Sequence, residues 1–369
     1  HLQFFFEQLL PIAKACHAAA SRASNPALKR RYVTYVVDIW SMFGSFCVCA
    51  VDAMTMLPMY SKSIMGAMTD STYRELSVIV CKGLTLLIRS NQLALEDQQE
   101  SPEIESENDS ESETDPEIQE GRIRDEDLGE EIIPFLEILN TTRAPRLDRS
   151  IATANLEALQ RLCEELLMTL LSLYEQWHGD FSTEIPRFSG IGVGGDNASV
   201  QVVRCALETM FSIAPSELVS KLLKQILGKL LTAFTNDNPA EADLCAGQSI
   251  ILTGLLSTVI RYVKDDEVTV IIRCLRPHLN NDEIPILQKR VYFCLLCICK
   301  YHSTLLLTSM LSDIQSMLVE SILSISVVSK KYRLKCLSYL SRSLDPGNEA
   351  HIQFILQVLP EVVLCVKDS

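Results

Sequence analysis

Residues 27–47 read ALKRRYVTYVVDIWSMFGSFC, and their apolar side chains recur with a helical period: Val33, Val36, Val37 and Trp40 fall on one face. Immediately before them, HLQFFFEQLLPIAKACHAAASRA is a second apolar-periodic segment, separated from the first by the Asn25-Pro26 punctuation. Two short amphipathic helices cannot cover each other's apolar surface completely, so such a pair requires neighbours of the same kind. The chain supplies them. Residues 71–89 put Tyr73, Leu76, Val80, Leu84 and Leu87 on one face, and residues 150–177 carry a wide stripe of Leu156, Leu159, Leu162, Leu166, Leu167 and Leu170. The pattern predicts further helices at about 198–212, 217–234, 241–263, 267–277, 284–300, 304–325, 329–343 and 347–364. Pro215 and Pro239 fall at or near helix starts, whereas Pro277 is read as ending one. No series of strands interrupts them. One helix-turn-helix unit per roughly 40 residues is the mark of a HEAT or armadillo-like array. The expectation is therefore an all-α superhelical solenoid of antiparallel helix pairs, with room for about eight or nine units.

The 369 residues carry 33 Lys plus Arg against 47 Asp plus Glu, a net charge of −14 that by itself argues against a broad nucleic-acid surface. Its distribution reverses that inference. Residues 96–131, EDQQESPEIESENDSESETDPEIQEGRIRDEDLGEE, hold 17 acids and two bases, leaving 30 acids and 31 bases for everything else. A stretch so acidic and so poor in aliphatic residues cannot repay the entropy of ordering, so it reads as a disordered insertion. The organisation is then helical repeats over 1–92, the insertion over 93–131, and one continuing repeat array over 132–369.

No run of 18 consecutive apolar residues is present, so no membrane partner is expected. Glu7 interrupts the opening apolar run and no basic flank precedes it, which argues against a secretory signal. The 13 Cys mostly occupy helical positions among Leu, Val and Ile and read as buried thiols of a reducing compartment. Cys294, Cys297 and Cys299 form a CxxCxC cluster, but a single helix cannot converge four tetrahedral ligands, so they are read as packing residues.

The remaining candidate sites are few. Gly190, Gly192, Gly194 and Gly195 superficially resemble a phosphate loop, yet no strand precedes them and no GK[ST] follows, which makes them an inter-helix loop. His1, His17, His178, His278, His302 and His351 are scattered without HExxH spacing or a nucleophile partner. Neither an enzyme nor a cofactor is therefore expected. Cations cluster at Lys29–Arg31, at Arg143, Arg146 and Arg149, at Lys289 and Arg290, and at Lys330, Lys331, Arg333 and Lys335. The last group, in SKKYRLKCLSYL with Tyr332 among the charges, is either a solvated face or a contact for a protein partner or RNA. Ser106, Ser110, Ser112 and Thr114 each have an acid three residues on, the pattern an acidophilic kinase accepts.

Three stretches resemble the ribosomal RNA-processing protein 12 family. They are TYVVDIWSMFGSFCVCAVD at 34–52, IPILQKRVYFCLLCIC at 284–299, and KKYRLKCLSYL at 330–340 followed by LPEVVLCVKD at 359–368. The likeness extends over roughly 27–368 and is strongest at Arg333–Leu337 and Pro360–Lys367. It departs at Gly44, where relatives carry Pro, and in the length of the acidic insertion. The resemblance implies a central part of a longer HEAT-type protein of the nucleolus and nucleus, shuttling to the cytoplasm. It also implies a non-catalytic scaffold that binds preribosomal (pre-40S or 90S) proteins, assembly factors or rRNA, and works with export factors or a small GTPase. The rival expectation is a karyopherin-like carrier for cargo, a small GTPase or nucleoporins. Lys330, Lys331, Arg333 and Lys335, with Lys289 and Arg290, are the expected contact residues, and Trp40, Tyr292 and Leu337 the packing anchors.

Overall fold

A computed structural model describes residues 2–96, 147–182, 198–236, 242–281, 283–321, 324–345 and 347–367. Among these there is no strand. The helices are α1 (Leu2–Phe4), a π-turn (Phe5–Leu9), α2 (Leu10–Arg22), α3 (Pro26–Ser41), α4 (Phe43–Cys47), α5 (Ala53–Thr69), α6 (Arg74–Glu96), α7 (Arg149–Ser182) and α8 (Ala198–Phe211). There follow α9 (Ser216–Phe234), α10 (Ala242–Val259) with a 3-10 turn (Ile260–Tyr262), α11 (Asp265–Leu279), α12 (Pro285–Tyr301), α13 (Ser303–Leu305) with a π-turn (Leu306–Met310), and α14 (Leu311–Glu320). A second 3-10 turn (Val327–Ser329) leads into α15 (Lys330–Ser343), and α16 (Glu349–Lys367) is the last. They form two compact units: the first takes α1 to α6, α7 as far as Tyr174, and α8; the second takes the rest of α7 and α9 to α16.

In the first unit α2 pairs with α3 and α5 with α6, while α6 also packs on α3, α4 and α8. Local sequence sets the ends. Asn25 caps α3, its Oδ1 accepting from Ala27 N at 2.9 Å, and Pro26 occupies the first turn where its missing N–H is harmless. The opening helix runs through Pro11 because the π-turn before it widens the backbone where proline removes a hydrogen bond. Asp52 then holds its start, accepting from Leu2 N at 3.1 Å and Gln3 N at 2.8 Å. Phe5 is the aromatic hub, with Trp40 at 5.3 Å and Phe43 at 5.2 Å between ring centroids, so Trp40 is the buried anchor its spacing predicts.

The helices on either side of residues 97–146 pack on each other. Ala94 on α6 and Leu147 and Ala152 at the start of α7 share one core patch. Asn155, fully buried on α7, donates to Ala50 O at 2.8 Å and to Asn91 Oδ1 at 3.0 Å and accepts from Met54 N at 2.8 Å. One amide thus ties α7 to α6 and to the turn before α5, with three of its hydrogen-bonding sites used. α6 extends to Glu96, four residues past the expected end of the first repeat block. Residues 97–146, with Ser106, Ser110, Ser112 and Thr114, lie outside the described residues, as do Pro239 and the glycines at 190–195.

In the second unit the helices form two layers. First helices α9 and α11 contact each other, as do α14 and α16; second helices form the series α10, α12, α15. First helices start at Ser216, Asp265, Ser303 and Glu349, at intervals of 49, 38 and 46 residues. The fold is all-α and built of HEAT-like helix pairs. Among the described residues, consecutive helices pair as α2 with α3, α5 with α6, α9 with α10 and α11 with α12. α9 shows the pairing face plainly: Val219, Leu222, Leu223, Ile226, Leu227, Leu230 and Ala233 are buried. α10 is covered by α9 on one side and α12 on another, so residues 252–259 are buried all round. By length and composition α6 and α10 could each cross a membrane, with mean hydropathies of 1.3 and 1.5; here neighbouring helices cover most of that apolar surface.

Two readings need correction. Pro277 does not end α11, which continues to Leu279. The proline still forgoes its own bond to the carbonyl four residues back, and the helix ends two residues after it. α5, AMTMLPMYSKSIMGAMT, is a further full helix: Ala53, Met56, Leu57, Ile64, Ala67 and Met68 lie at helical spacing on its buried face, a pattern obscured by Pro58 and the exposed Met54 and Met59.

A Cβ on Gly83 would lie 2.5 Å from Phe43 Cδ1, and that ring is held in the aromatic cluster. Gly83→Ala should therefore lower stability by about 1–3 kcal/mol in urea denaturation, although alanine favours helix by about 1 kcal/mol; a more stable variant would refute the close contact. His278 stacks on Phe234 at 3.6 Å, and burial lowers its pKa from the ordinary 6.5. Its folded form then prefers the neutral ring, so the unfolded chain binds the extra proton, and stability present above 6.5 declines as pH falls through that value. His278→Gln should flatten the urea midpoint between pH 7 and 5.

Candidate partner-binding face and its internal brace

The two basic groups of the second unit, about 40 residues apart in sequence, are brought together by the packing of α12 against α15. Lys289 Nζ lies 5.9 Å from the centroid of Tyr332, and Phe293 meets the same ring edge-on at 5.2 Å. Neither helix contains an aspartate or a glutamate. α12 carries Lys289, Arg290 and Lys300, and α15 carries Lys330, Lys331, Arg333, Lys335 and Arg342. Neighbouring helices do carry acids: Asp243 on α10, Asp265, Asp266 and Glu267 on α11, Asp313 and Glu320 on α14, and Glu349 and Glu361 on α16. α12 and α15 are thus purely cationic, although outside the acidic stretch the chain is nearly neutral.

Helical phase decides which cations face water. At about 100° per residue, Lys331, Lys335 and Arg342 lie on the side of α15 opposite Arg333. Lys331 and Arg342 are exposed, and Lys330 and Lys335 half-buried. On α12, Lys289, Phe293 and Lys300 repeat the same offsets along a half-exposed edge. At the other end of that helix, Arg261 and Lys300 each sit 5.1 Å from the Tyr301 ring, a second cation and aromatic group that the sequence reading did not single out.

Arg333 is the exception, and here the expectation of a contact residue is overturned. Its side chain is 0% exposed. Nε donates to Glu361 Oε1 at 2.7 Å and Nη2 to Glu361 Oε2 at 2.9 Å, a bidentate pair. Nη2 also donates to Leu318 O at 2.6 Å, and Nη1 to Ser321 Oγ at 2.8 Å and Tyr292 Oη at 3.3 Å. All five guanidinium N–H groups have acceptors, the condition under which a buried charge is tolerated. Burial pulls the guanidinium pKa down, but the Glu361 and Tyr292 contacts outweigh it and the net direction is upward. Tyr292 moves up as well, through burial, against the opposing charge of Arg333.

The neighbouring Gln288 completes the brace. Its Nε2 donates to Leu279 O at 2.9 Å and Ser324 O at 2.7 Å, while Oε1 accepts from Ser326 N at 2.9 Å and Ser326 Oγ at 2.6 Å. Every amide position is used, so the end of α11 and the segment before α15 are both fastened to α12. Gln288, Tyr292, Arg333 and Glu361 come from the stretches at 284–299, 330–340 and 359–368, which meet at this buried node. Leu337 and Tyr292 are buried as expected. The sequence reading missed Gln288 and Glu361 as structural residues, because residue type does not tell an inward side chain from a solvated one.

The other candidates resolve into packing. Cys294, Cys297 and Cys299 are buried in α12, and Cys294 Sγ donates to Thr253 O at 3.2 Å. Burial pushes the Cys163 and Cys205 thiols up to about 12, far from thiolate chemistry. His302 bridges Ile260 O at 2.8 Å and Asp265 Oδ1 at 3.3 Å, and His351 Nδ1 accepts from Asp345 N. Among the described residues no group of three or more His, Cys, Asp and Glu side chains converges on a metal position.

Residues 1–177 match the family model "Ribosomal RNA-processing protein 12, HEAT repeats". The match takes in the stretch at 34–52 and every helix through α6. Over 220 residues, 59% of this chain, the sequence is 26% identical to the "RRP12-like protein" of Homo sapiens, and that alignment spans 15% of the human protein. The N-terminal part is therefore a HEAT-repeat domain similar to that family's.

Arg333→Ala should cost about 3–5 kcal/mol, because it leaves the Glu361 carboxylate largely buried without its partner. Lys331→Glu, on the solvent side, should change stability by less than about 0.5 kcal/mol. Denaturant titration of both variants checks the division; equal losses would refute it.

Proposed function

We propose that this chain is a segment of a non-catalytic scaffold in ribosome biogenesis. It binds preribosomal proteins, assembly factors or rRNA while other proteins cut and remodel the RNA, and so supports rRNA processing, subunit maturation and nuclear export. The observation that carries this reading is the family match over residues 1–177. The basic face of α12 and α15 supports it in kind, since a surface with many cations and no acid on either helix suits an anionic partner. Lys289, Arg290, Lys330, Lys331 and Lys335 are its contact residues; Arg333 supports them from inside. The place of action in this reading is the nucleolus and nucleus.

Gradient sedimentation of the full-length tagged protein from cell extract tests it. Co-migration with preribosomal particles, unchanged by GTP or GDP analogues, is the expected outcome. Absence from those fractions would overturn the scaffold. Release by the GTP analogue would instead indicate a karyopherin-like carrier, whose cargo release follows the nucleotide state of a small GTPase.

A further inference from the structure

Beside the cations lies an apolar feature for which phosphate binding gives no reason. Val327 and Val328 form the 3-10 turn that leads into α15, and they are 80% and 41% exposed. A lone exposed valine needs no explanation. This pair is different because its turn is pinned. Gln288 holds Ser326 from below, the Ser326 and Ser329 hydroxyls share a hydrogen bond at 2.8 Å, and Ser329 is buried. The turn packs on α12 and runs directly into Lys330 and Lys331.

We propose that this face takes an acidic segment of a partner protein in which an aliphatic or aromatic side chain is set among carboxylates. The carboxylates meet Lys331, Lys335 and Lys289, and the apolar side chain covers Val327 and Val328. Resting on the reading of this face as the scaffold's contact surface, the inference adds the chemistry of the partner. Two observations favour a protein segment over RNA. The rings among the cations are already engaged: Tyr332 is met by Phe293 and lies near Lys289, and Tyr301 has Arg261 and Lys300 each 5.1 Å from its centroid. Rings so occupied hold cations in place and offer little free face for a base to stack on. The valine pair, moreover, gains from burial against an apolar side chain and nothing from a phosphate.

Fluorescence anisotropy with the full chain at about 150 mM salt decides it, using three labelled probes. One is a synthetic peptide of about 12 residues mixing Glu and Asp with Leu and Phe. The second is a Glu and Ser peptide of equal charge, and the third an oligouridylate of similar length. The mixed peptide should bind about tenfold more tightly than the other two, a difference of about 1.4 kcal/mol. Val327→Ser should remove most of that advantage without changing Glu and Ser peptide binding, and Lys331→Glu should weaken both peptides. Both side chains are exposed, and circular dichroism would verify that each variant keeps its helices. Equal affinity of the two peptides, indifference to Val327→Ser, or tighter binding of the oligouridylate would overturn the proposal. None of these results bears on sedimentation with preribosomal particles, so the two readings fail separately.

Discussion

A pair of amphipathic helices has apolar surface on more than one side, and the structure depends on each pair being covered by the next. α10 shows what this demands: set between α9 and α12, it is apolar almost all round, and its buried hydroxyls return to carbonyls of their own helix. Thr253 Oγ1 donates to Ser249 O at 2.7 Å, and Ser257 Oγ to Gly254 O at 2.6 Å. A polar side chain that satisfies itself locally lets a helix pass through the middle of the layer without an uncompensated group. The same requirement is met across the break between α6 and α7, where Ala94, Leu147 and Ala152 share one core patch.

Apolar covering alone tolerates slippage, since leucine stripes can interlock in more than one register. The buried polar groups are less forgiving. Asn155, Gln288 and Arg333 each reach three or more partners on separate segments, and each would leave several groups unpaired if its helix shifted by one residue. The penalty for an unpaired buried polar group, about 1–3 kcal/mol each, exceeds what a shifted apolar contact loses. These three positions act as register pins, with most of the free energy still residing in the surrounding apolar surface.

The basic face follows from the same architecture. Once the inner side of α15 is committed to Arg333, Cys336, Leu337 and Leu340, the remaining phase of the helix carries Lys331, Lys335 and Arg342 outward. With no acid on either α12 or α15, that pair of helices presents positive charge in a chain whose total is strongly negative. The net figure therefore says little about partners. The electrostatic field near a surface depends on local arrangement, and screening over about 8–10 Å in salt limits how far an acidic segment elsewhere can offset it.

Much was legible in the sequence by itself. Apolar spacing of 3.6 residues locates nearly every helix, because burial of one face is a local property written in residue type. Alternation of helices and breaks was enough to determine the all-α, paired class. What only the tertiary structure decided was direction and partnership. Arg333 and Lys331 look alike in SKKYRLKCL, yet one is fully buried and the other solvated, because 200° of helical phase separates them and the partners of Arg333 come from Tyr292, Ser321 and Glu361, far away in the chain. α5 escaped notice because methionine and an internal proline blur periodicity, and it became a helix through the neighbours that cover it. Local pattern specifies which residues must be buried; which of them meet is set by the three-dimensional closure of the layers.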